Sequence, residues 1–236
     1  MKLFLKKILY KINLKCRRLF FANTVHAPEL TKKAIVGIVS QTHVPVILEI
    51  GAADGLDTLE LLQAFGDRPV RIFCFEPDPR NIASFKENVK DSRVTLIECA
   101  IGAEDGAMTF HQSSTIYSSS LKAPHIQNLQ SVWPEMTFEN SFDVTVVTID
   151  SFAKKYNLGT IDFIWADVQG AEDLMLLGAK NTLAKTRYIY TEYNKAKDFY
   201  QDSPTLEQIK NLTGPHWHVI RNYGADVLLK NDTIVA

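Results

Sequence analysis

The strongest constraint on this chain is a regular alternation of apolar runs and segments with helical spacing. The runs at 44–50 and 70–76 are largely apolar, which is typical of strands covered on both faces. Segments with apolar residues at helical spacing separate these and later runs. This order predicts an α/β domain built on a parallel sheet. The predicted strands are 44–50, 70–76, 161–167 and 187–193, and 93–102 is predicted as a strand that runs into a turn. The predicted helices are 29–40, 56–65, 79–89, 170–180 and 204–212.

Two regions depart from this alternation. The strand-like stretches 216–222 and 225–231 flank Tyr223-Gly224, which predicts a C-terminal antiparallel hairpin. The stretch 111–142 contains a long polar segment with two prolines, and a loop of this length in a compact domain is usually functional. We therefore interpret 111–142 as a variable insertion beside a binding site, where Tyr117 and Trp133 either line the site or pack the loop.

The N-terminal residues 1–21 predict a basic amphipathic helix. They contain five lysines, two arginines and no acid, with residues such as Ile8 and Ile12 on one face. The lysines interrupt the apolar length that a membrane span needs. Such a helix either lies on an anionic bilayer surface or docks on its own domain. We interpret residues 22–28 as a linker and residues 29–236 as one domain.

Charge and cysteine content limit the function further. The net charge of −1 argues against a general nucleic-acid binder, and outside residues 1–21 there are 19 basic and 27 acidic residues. The three cysteines fit no metal motif, and Cys74 and Cys99 lie in apolar runs. We interpret these two as small buried residues in a reducing compartment. The expected location is cytoplasmic, or peripheral on the inner face of a membrane if residues 1–21 bind lipid.

Acidic residues and glycines occur where the predicted strands end. The first turn reads E-I-G-A-A-D-G, so its glycines are spaced G-x-x-x-G, without the G-x-G-x-x-G pattern of a dinucleotide site. An acidic turn disfavours a pyrophosphate and suits a ligand with a cationic centre. Glu76, about twenty residues further on, is placed to bind both hydroxyls of a ribose. A ribose joined to a cationic centre indicates S-adenosylmethionine, although Gly51 and Gly55 could also serve only a tight turn.

Four stretches in order resemble the FkbM-type family of S-adenosylmethionine-dependent methyltransferases. They are "ILEIGAADGLDT", "FCFEPDP", "ECAIG" and "VTIDSF…IDFIWADVQGAEDLMLLGA", and they cover roughly residues 46–193. The resemblance implies the class I methyltransferase fold, a Rossmann-like, doubly wound sheet of seven strands, mostly parallel with an antiparallel C-terminal hairpin. Two positions depart from the family pattern: Trp165 replaces a frequent lysine, and Gln169 replaces a frequent glutamate.

The resemblance also implies site residues. It matches Glu49, Gly51 and Gly55 to the cofactor turn, Glu76 to the ribose-binding acid, Ala100 to the adenine side and Asp167 to the acid after the fourth strand. The expected cofactor-binding set is Glu49, Gly51, Ala52, Asp54, Gly55, Thr58, Glu76, Pro77, Ala100, Ile101 and Asp167.

Methyl transfer to a hydroxyl requires positioning and removal of one proton. We predict Asp167 as the group that orients or deprotonates the acceptor, with Glu172, Glu192 and His111 as further candidates. The three acids could instead share a divalent metal, although no histidine-rich pattern supports this. Asp167 and Glu172 could also cap or complement the helix at 170–180, and Glu192 could be an ordinary strand-end acid.

The expected function is an O-methyltransferase that acts on a hydroxyl of a sugar, glycan or glycolipid. The reaction class follows from the site residues, and the sugar follows from the resemblance alone. The alternative is a non-enzymatic S-adenosylmethionine-binding or membrane-associated scaffold protein. A nicotinamide dehydrogenase is disfavoured because the G-x-G-x-x-G pattern is missing.

Overall fold

A computed structural model of the chain describes residues 31–39, 43–194 and 198–234. The predicted amphipathic helix 1–21 and the linker 22–28 lie outside these residues. Within the described ranges, no helix is both long enough and apolar enough to cross a membrane.

Seven strands form the main sheet, in the order β3-β2-β1-β7-β8-β10-β9. Their bounds are β1 Val46–Ile50, β2 Arg71–Phe75, β3 Val94–Ile97, β7 Ile161–Ala166, β8 Thr186–Glu192, β9 Trp217–Asn222 and β10 Asp226–Asn231. The first five pair in parallel, while β10 runs antiparallel to both of its neighbours. The doubly wound sheet and the C-terminal hairpin predicted from the sequence are thus confirmed.

Helices cover both faces of this sheet. They are α1 Lys32–Ile38, α2 Leu56–Phe65, α3 Pro79–Asn88, α4 Ile126–Gln130, α5 Ile149–Lys155, α6 Glu172–Leu177 and α7 Leu206–Thr213, with a short 3-10 helix at Leu183–Lys185. Alternate residues of β1 point to opposite faces: Ile47 belongs to a buried cluster with residues of α1, α2 and α3, whereas Leu48 belongs to one with residues of α5, α6 and α7. Every residue of β1 is buried, as expected for a central parallel strand.

The stretch 93–102, predicted as a strand that runs into a turn, forms two short strands, because the chain bends after β3 and starts a second sheet. In that sheet β4 (Ala100–Ile101) pairs in parallel with β6 (Asn140–Val147), and β6 pairs antiparallel with β5 (Gly106–Gln112). A Cβ at Gly102 would lie 2.6 Å from the Val146 side chain, so glycine permits this close pairing. The small sheet positions the insertion 111–142, which begins at the end of β5 and ends in β6.

Both described cysteines are buried and free. Cys74 lies within β2 and Cys99 lies in the bend before β4, with 0% and 4% of their surfaces exposed. They pack as small apolar residues, as the sequence predicts.

Candidate active site

A cavity opens beyond the carboxyl ends of β1, β2 and β7, where parallel α/β sheets bind their ligands. The turn after β1, the start of α3 and the insertion form its walls. Eight of the residues predicted from the sequence line it: Gly51, Ala52, Asp54, Glu76, Pro77, Ala100, Ile101 and Asp167.

The turn between β1 and α2 is held by backbone hydrogen bonds and close packing. The N–H groups of Gly51 and Ala52 both donate to the Phe75 carbonyl at 3.0 Å. Gly51 has φ +85°, and a Cβ there would lie 2.0 Å from the carbonyl oxygen of Asp167. Glycine at this position therefore lets the end of β7 approach the turn, which brings Asp167 into the cavity wall.

Gly55 serves the packing of two helices. It has φ +79° and precedes α2, and a Cβ there would lie under 3 Å from side-chain atoms of Val89 and Phe85. Gly55 does not line the cavity. Its conformation and packing account for the glycine without a ligand, so a cofactor contact at Gly55 stays a prediction.

Glu76 is fixed in the cavity by the backbone. Only 4% of its surface is exposed, and its two carboxylate oxygens accept hydrogen bonds from the N–H groups of Ala53 and Asp78, both at 2.8 Å. Burial raises the pKa of Glu76 to about 7, against these hydrogen bonds and one from the Asn81 side chain, which lower it. These three hydrogen bonds leave the carboxylate one further lone pair for a ligand donor.

Asp167 immediately follows β7 and also lines the cavity. Its N–H donates to the Ile50 carbonyl at 3.0 Å, and its Oδ1 accepts a hydrogen bond from Gln169 at 2.5 Å. Gln169 has φ +54°, an uncommon conformation for a residue with a side chain. The Tyr200 hydroxyl hydrogen-bonds Gln169 Oε1 at 3.3 Å, so the Asp167 carboxylate belongs to a chain of polar contacts.

The charge of the cavity has one sign. Four acidic residues line it, and the described lining contains no lysine and no arginine. An environment of this kind favours cationic groups and gives a phosphate no counter-charge. The acids are Asp54, Asp57, Glu76 and Asp167.

Side chains in the first turn of α3 hold the insertion beside the cavity through hydrogen bonds. Asp78 is fully buried and binds the Arg80 guanidinium, which also donates to the Ser113 carbonyl at 2.9 Å. One residue later, Asn81 Nδ2 donates to the Ile116 carbonyl at 2.8 Å.

The insertion also reaches the turn after β1. The Tyr117 hydroxyl donates to Asp54 Oδ2 at 3.2 Å across the cavity. Of the two aromatic residues named from the sequence, Tyr117 lines the cavity, whereas Trp133 packs against the ring of Phe199.

Glu49 and Thr58 do not line the cavity. Their side chains meet inside the sheet–helix layer, where Thr58 Oγ1 donates to Glu49 Oε2 at 2.6 Å and Cys74 Sγ lies 3.3 Å from the same oxygen. Burial raises the pKa of Glu49 to about 7, with Lys32 opposing the shift. Lys32 Nζ lies 3.1 Å from the centre of the Trp165 ring and 3.3 Å from the Asp57 carboxylate. No cofactor contact follows from this placement of Glu49.

The further catalytic candidates lie outside the cavity lining. Glu172 is 1% exposed and its Oε1 accepts a hydrogen bond from the N–H of Gly170, so it stabilises the start of α6. Burial raises its pKa to about 7. Glu192 ends β8, and His111 lies in β5 with its Nδ1 3.1 Å from the Ser141 hydroxyl.

A shared metal site for the three acids has no geometric support. Among the described residues, no group of three or more histidine, cysteine, aspartate or glutamate side chains is arranged to hold a metal ion. Asp167 alone of the four catalytic candidates reaches the cavity.

Comparison with known proteins places this chain in a family. The sequence model of the methyltransferase FkbM domain matches residues 49–226. The chain is 36% identical to 2-O-methyltransferase NoeI of Sinorhizobium fredii (strain NBRC 101917 / NGR234), and the match covers 93% of this chain and 94% of that protein. The chain belongs to the FkbM methyltransferase family.

A solved structure supports the fold. The crystal structure of Methyltransferase FkbM from Methylobacillus flagellatus KT aligns with a TM-score of 0.54 at 15% identity. The alignment covers 86% of this chain and 48% of that one, so the chain spans about half the length of that protein. The likeness concerns the fold, which is the class I methyltransferase fold expected from the sequence.

The two departures from the family pattern lie in different environments. Trp165 is 8% exposed and faces Lys32 and Tyr190 in the sheet–helix layer, away from the cavity. Gln169 lines the cavity and contacts Asp167. The change at Trp165 therefore concerns packing, whereas Gln169 is in direct contact with Asp167 in the cavity wall.

Several cavity residues were not predicted from the sequence. Asn81 lies on α3, and Phe110, Ser119 and Ser120 come from the second sheet and the insertion. No local spacing marks them, because the fold brings them to the cavity from segments distant in the chain. Asn81 is the exception, since it falls in the first helical turn after Glu76, which the sequence had marked.

Proposed function

We propose that this methyltransferase uses S-adenosylmethionine and methylates a hydroxyl group of a sugar, a glycan or a glycolipid. The observation that carries the cofactor assignment is the acidic cavity at the carboxyl ends of β1, β2 and β7, whose described lining holds four acids and no basic residue. The sulfonium and ammonium groups of S-adenosylmethionine suit this charge, and a phosphate-bearing cofactor does not.

The residues present fit the cofactor. The backbone holds the Glu76 carboxylate through two N–H groups, and its remaining lone pair can accept a hydrogen bond from a ribose hydroxyl. The turn at Gly51, Ala52 and Ala53 borders the same space and suits the amino-acid tail. Ala100 and Ile101 supply an apolar wall for the adenine.

Asp167 has the role of orienting and deprotonating the acceptor hydroxyl. The cofactor supplies an electrophilic methyl group and leaves as a neutral thioether, so no anion on the leaving group needs stabilisation. The remaining task is removal of the hydroxyl proton, and Asp167 is the candidate base that lines the cavity. Its contact with Gln169 orients the carboxylate.

The acceptor class rests on the relatives. The name of the 36% identical relative, 2-O-methyltransferase, supports an oxygen acceptor, and the family resemblance supports a sugar. The insertion 111–142 supplies the acceptor-side wall of the cavity through residues 116–121, which cover it opposite the turn after β1. The family assignment favours this enzyme over a scaffold protein that only binds the cofactor.

Calorimetry with S-adenosylhomocysteine tests the cofactor. The wild-type protein should bind it, and Glu76→Gln should bind it at least tenfold more weakly, since one carboxylate oxygen acceptor is replaced by a donor and each tenfold is ~1.4 kcal/mol. Glu172→Gln is the matched control, because Glu172 is equally buried but outside the cavity. Absence of binding heat with folded wild-type protein would exclude the cofactor.

A labelled methyl donor tests the acceptor. The protein is incubated with S-adenosylmethionine carrying a labelled methyl group and with fractionated glycans and glycolipids, and mass spectrometry locates the label. We expect the label on a sugar oxygen. Label on a protein or nucleic-acid fraction alone would refute the proposed acceptor class.

A further inference from the structure

Asn81 is a buried polar residue in the cavity wall whose amide is only half satisfied. It is 3% exposed and lies in the first turn of α3, after Glu76 and Asp78. Its Nδ2 donates to the Ile116 carbonyl at 2.8 Å. Its Oδ1 has no hydrogen-bond partner among the described residues. A buried carbonyl oxygen without a partner is unfavourable, so a ligand donor is the expected partner in a cavity wall.

The position of Asn81 indicates which donor that is. Its amide lies beside the Glu76 carboxylate, to which it contributes a hydrogen bond. Both oxygens of that carboxylate already accept backbone N–H groups. A ribose presents two neighbouring hydroxyls, each of which donates one hydrogen bond. An acceptor next to Glu76 therefore matches the donor pattern of the sugar rather than that of the adenine.

We infer that Asn81 is a further cofactor-binding residue, whose Oδ1 accepts a hydrogen bond from a ribose hydroxyl of S-adenosylmethionine. The inference rests on the proposed function and extends it. It also gives the insertion a link to the cofactor, because the other end of the same amide holds the Ile116 carbonyl. Ile116 precedes Tyr117, whose hydroxyl contacts Asp54 across the cavity.

A cycle of protein and ligand changes tests the contact directly. The ligands are S-adenosylhomocysteine and its 2′-deoxy and 3′-deoxy forms, and the proteins are wild type and Asn81→Ala. Removing the hydroxyl that Asn81 binds should lower the affinity of the ligand for both proteins. The loss of affinity should be about fivefold larger for the wild type than for Asn81→Ala, as expected for one neutral hydrogen bond. One of the two deoxy ligands should show this coupling.

Asn88→Ala is the matched control on the same helix. Its amide also donates to a backbone carbonyl, that of Asp54 at 2.8 Å, but Asn88 does not line the cavity. Asn88→Ala should lose as much affinity as the wild type when a ribose hydroxyl is removed from the ligand, whatever its affinity for S-adenosylhomocysteine itself. Thermal unfolding establishes that both variants fold.

The outcomes separate the inference from the proposed function. Wild-type binding with equal deoxy-ligand penalties in wild type and Asn81→Ala overturns the role of Asn81 and leaves the proposed function intact. An S-adenosylhomocysteine analogue that lacks the adenine amino group serves as a fourth ligand, and a coupling that appears only with this analogue overturns the ribose assignment. No binding of S-adenosylhomocysteine to the wild type overturns both.

Discussion

Gly51→Ala should displace the end of β7 and damage both stability and activity. An alanine Cβ would lie 2.0 Å from the Asp167 carbonyl oxygen, whereas real Cβ contacts are essentially never under 3.0 Å, so the two must separate by about 1 Å. The positive φ costs a further ~1–2 kcal/mol. Loss of the hydrogen bond between Asp167 and Ile50 adds ~1 kcal/mol. The expected destabilisation is therefore about 2–3 kcal/mol.

Gly224→Ala separates backbone strain from the steric clash. Gly224 also has a positive φ, +106°, but a Cβ there meets nothing within 4 Å. Gly224→Ala should therefore lower the free energy of unfolding by the backbone strain alone, ~1–2 kcal/mol. For a chain of this size the melting temperature should fall by roughly 4–12 °C for Gly51→Ala and by roughly 2–8 °C for Gly224→Ala.

Activity provides the second measurement. A shift of about 1 Å in Asp167 should lower methyl transfer by roughly a hundredfold, since misplacement by that distance disrupts the reactive geometry. Gly224 lies in the C-terminal hairpin, away from the cavity, and Gly224→Ala should retain activity below its melting temperature. Equal melting temperatures for the two variants, with full activity in Gly51→Ala, would refute the close approach of β7 to the turn.

Other perturbations address pH, the base and the N-terminal segment. Burial raises the pKa of Glu49 to about 7 from 4.5, so the folded state binds a proton that the unfolded state has released, and stability should fall as the pH rises from about 4.5 to about 7. When the free energy of unfolding is measured in urea across this pH range, Glu49→Gln should remove up to ~3 kcal/mol of that fall. The same pH dependence in wild type and Glu49→Gln would contradict the raised pKa of Glu49. Asp167→Asn should lower kcat by roughly a hundredfold or more with a small change in cofactor affinity, and full kcat would exclude Asp167 as the base. If residues 1–21 bind membranes, their deletion should release the protein from anionic liposomes, and unchanged partitioning would refute this.

Local signals predicted most of the architecture. The apolar runs matched β1, β2, β7 and β8 to within two residues, because buried parallel strands need nearly continuous apolar sequence. The second strand within 93–102 was not predicted, since a sharp bend at residues 98–99 leaves the apolar composition unchanged. Pairing with β6 decides where that run divides.

The prediction of site residues was uneven for a physical reason. Residues in the turns that directly follow a strand, such as Glu76 and Asp167, must lie at the carboxyl edge of the sheet, and both line the cavity. Glu49 lies inside β1, where its side chain points into a layer of helices and meets Thr58. Its acidic character gave no information about that direction.

The sequence by itself determined the order of strands and helices, the C-terminal hairpin and the acidic character of the turns at the sheet edge. These features depend on periodicity and on residues that are neighbours in the chain. The tertiary structure alone decided that Gly51 makes room for Asp167, that the insertion closes over the cavity through Tyr117, and that Asn81 stands beside Glu76. Contacts between distant segments depend on how helices and sheets pack, and local spacing does not encode that packing.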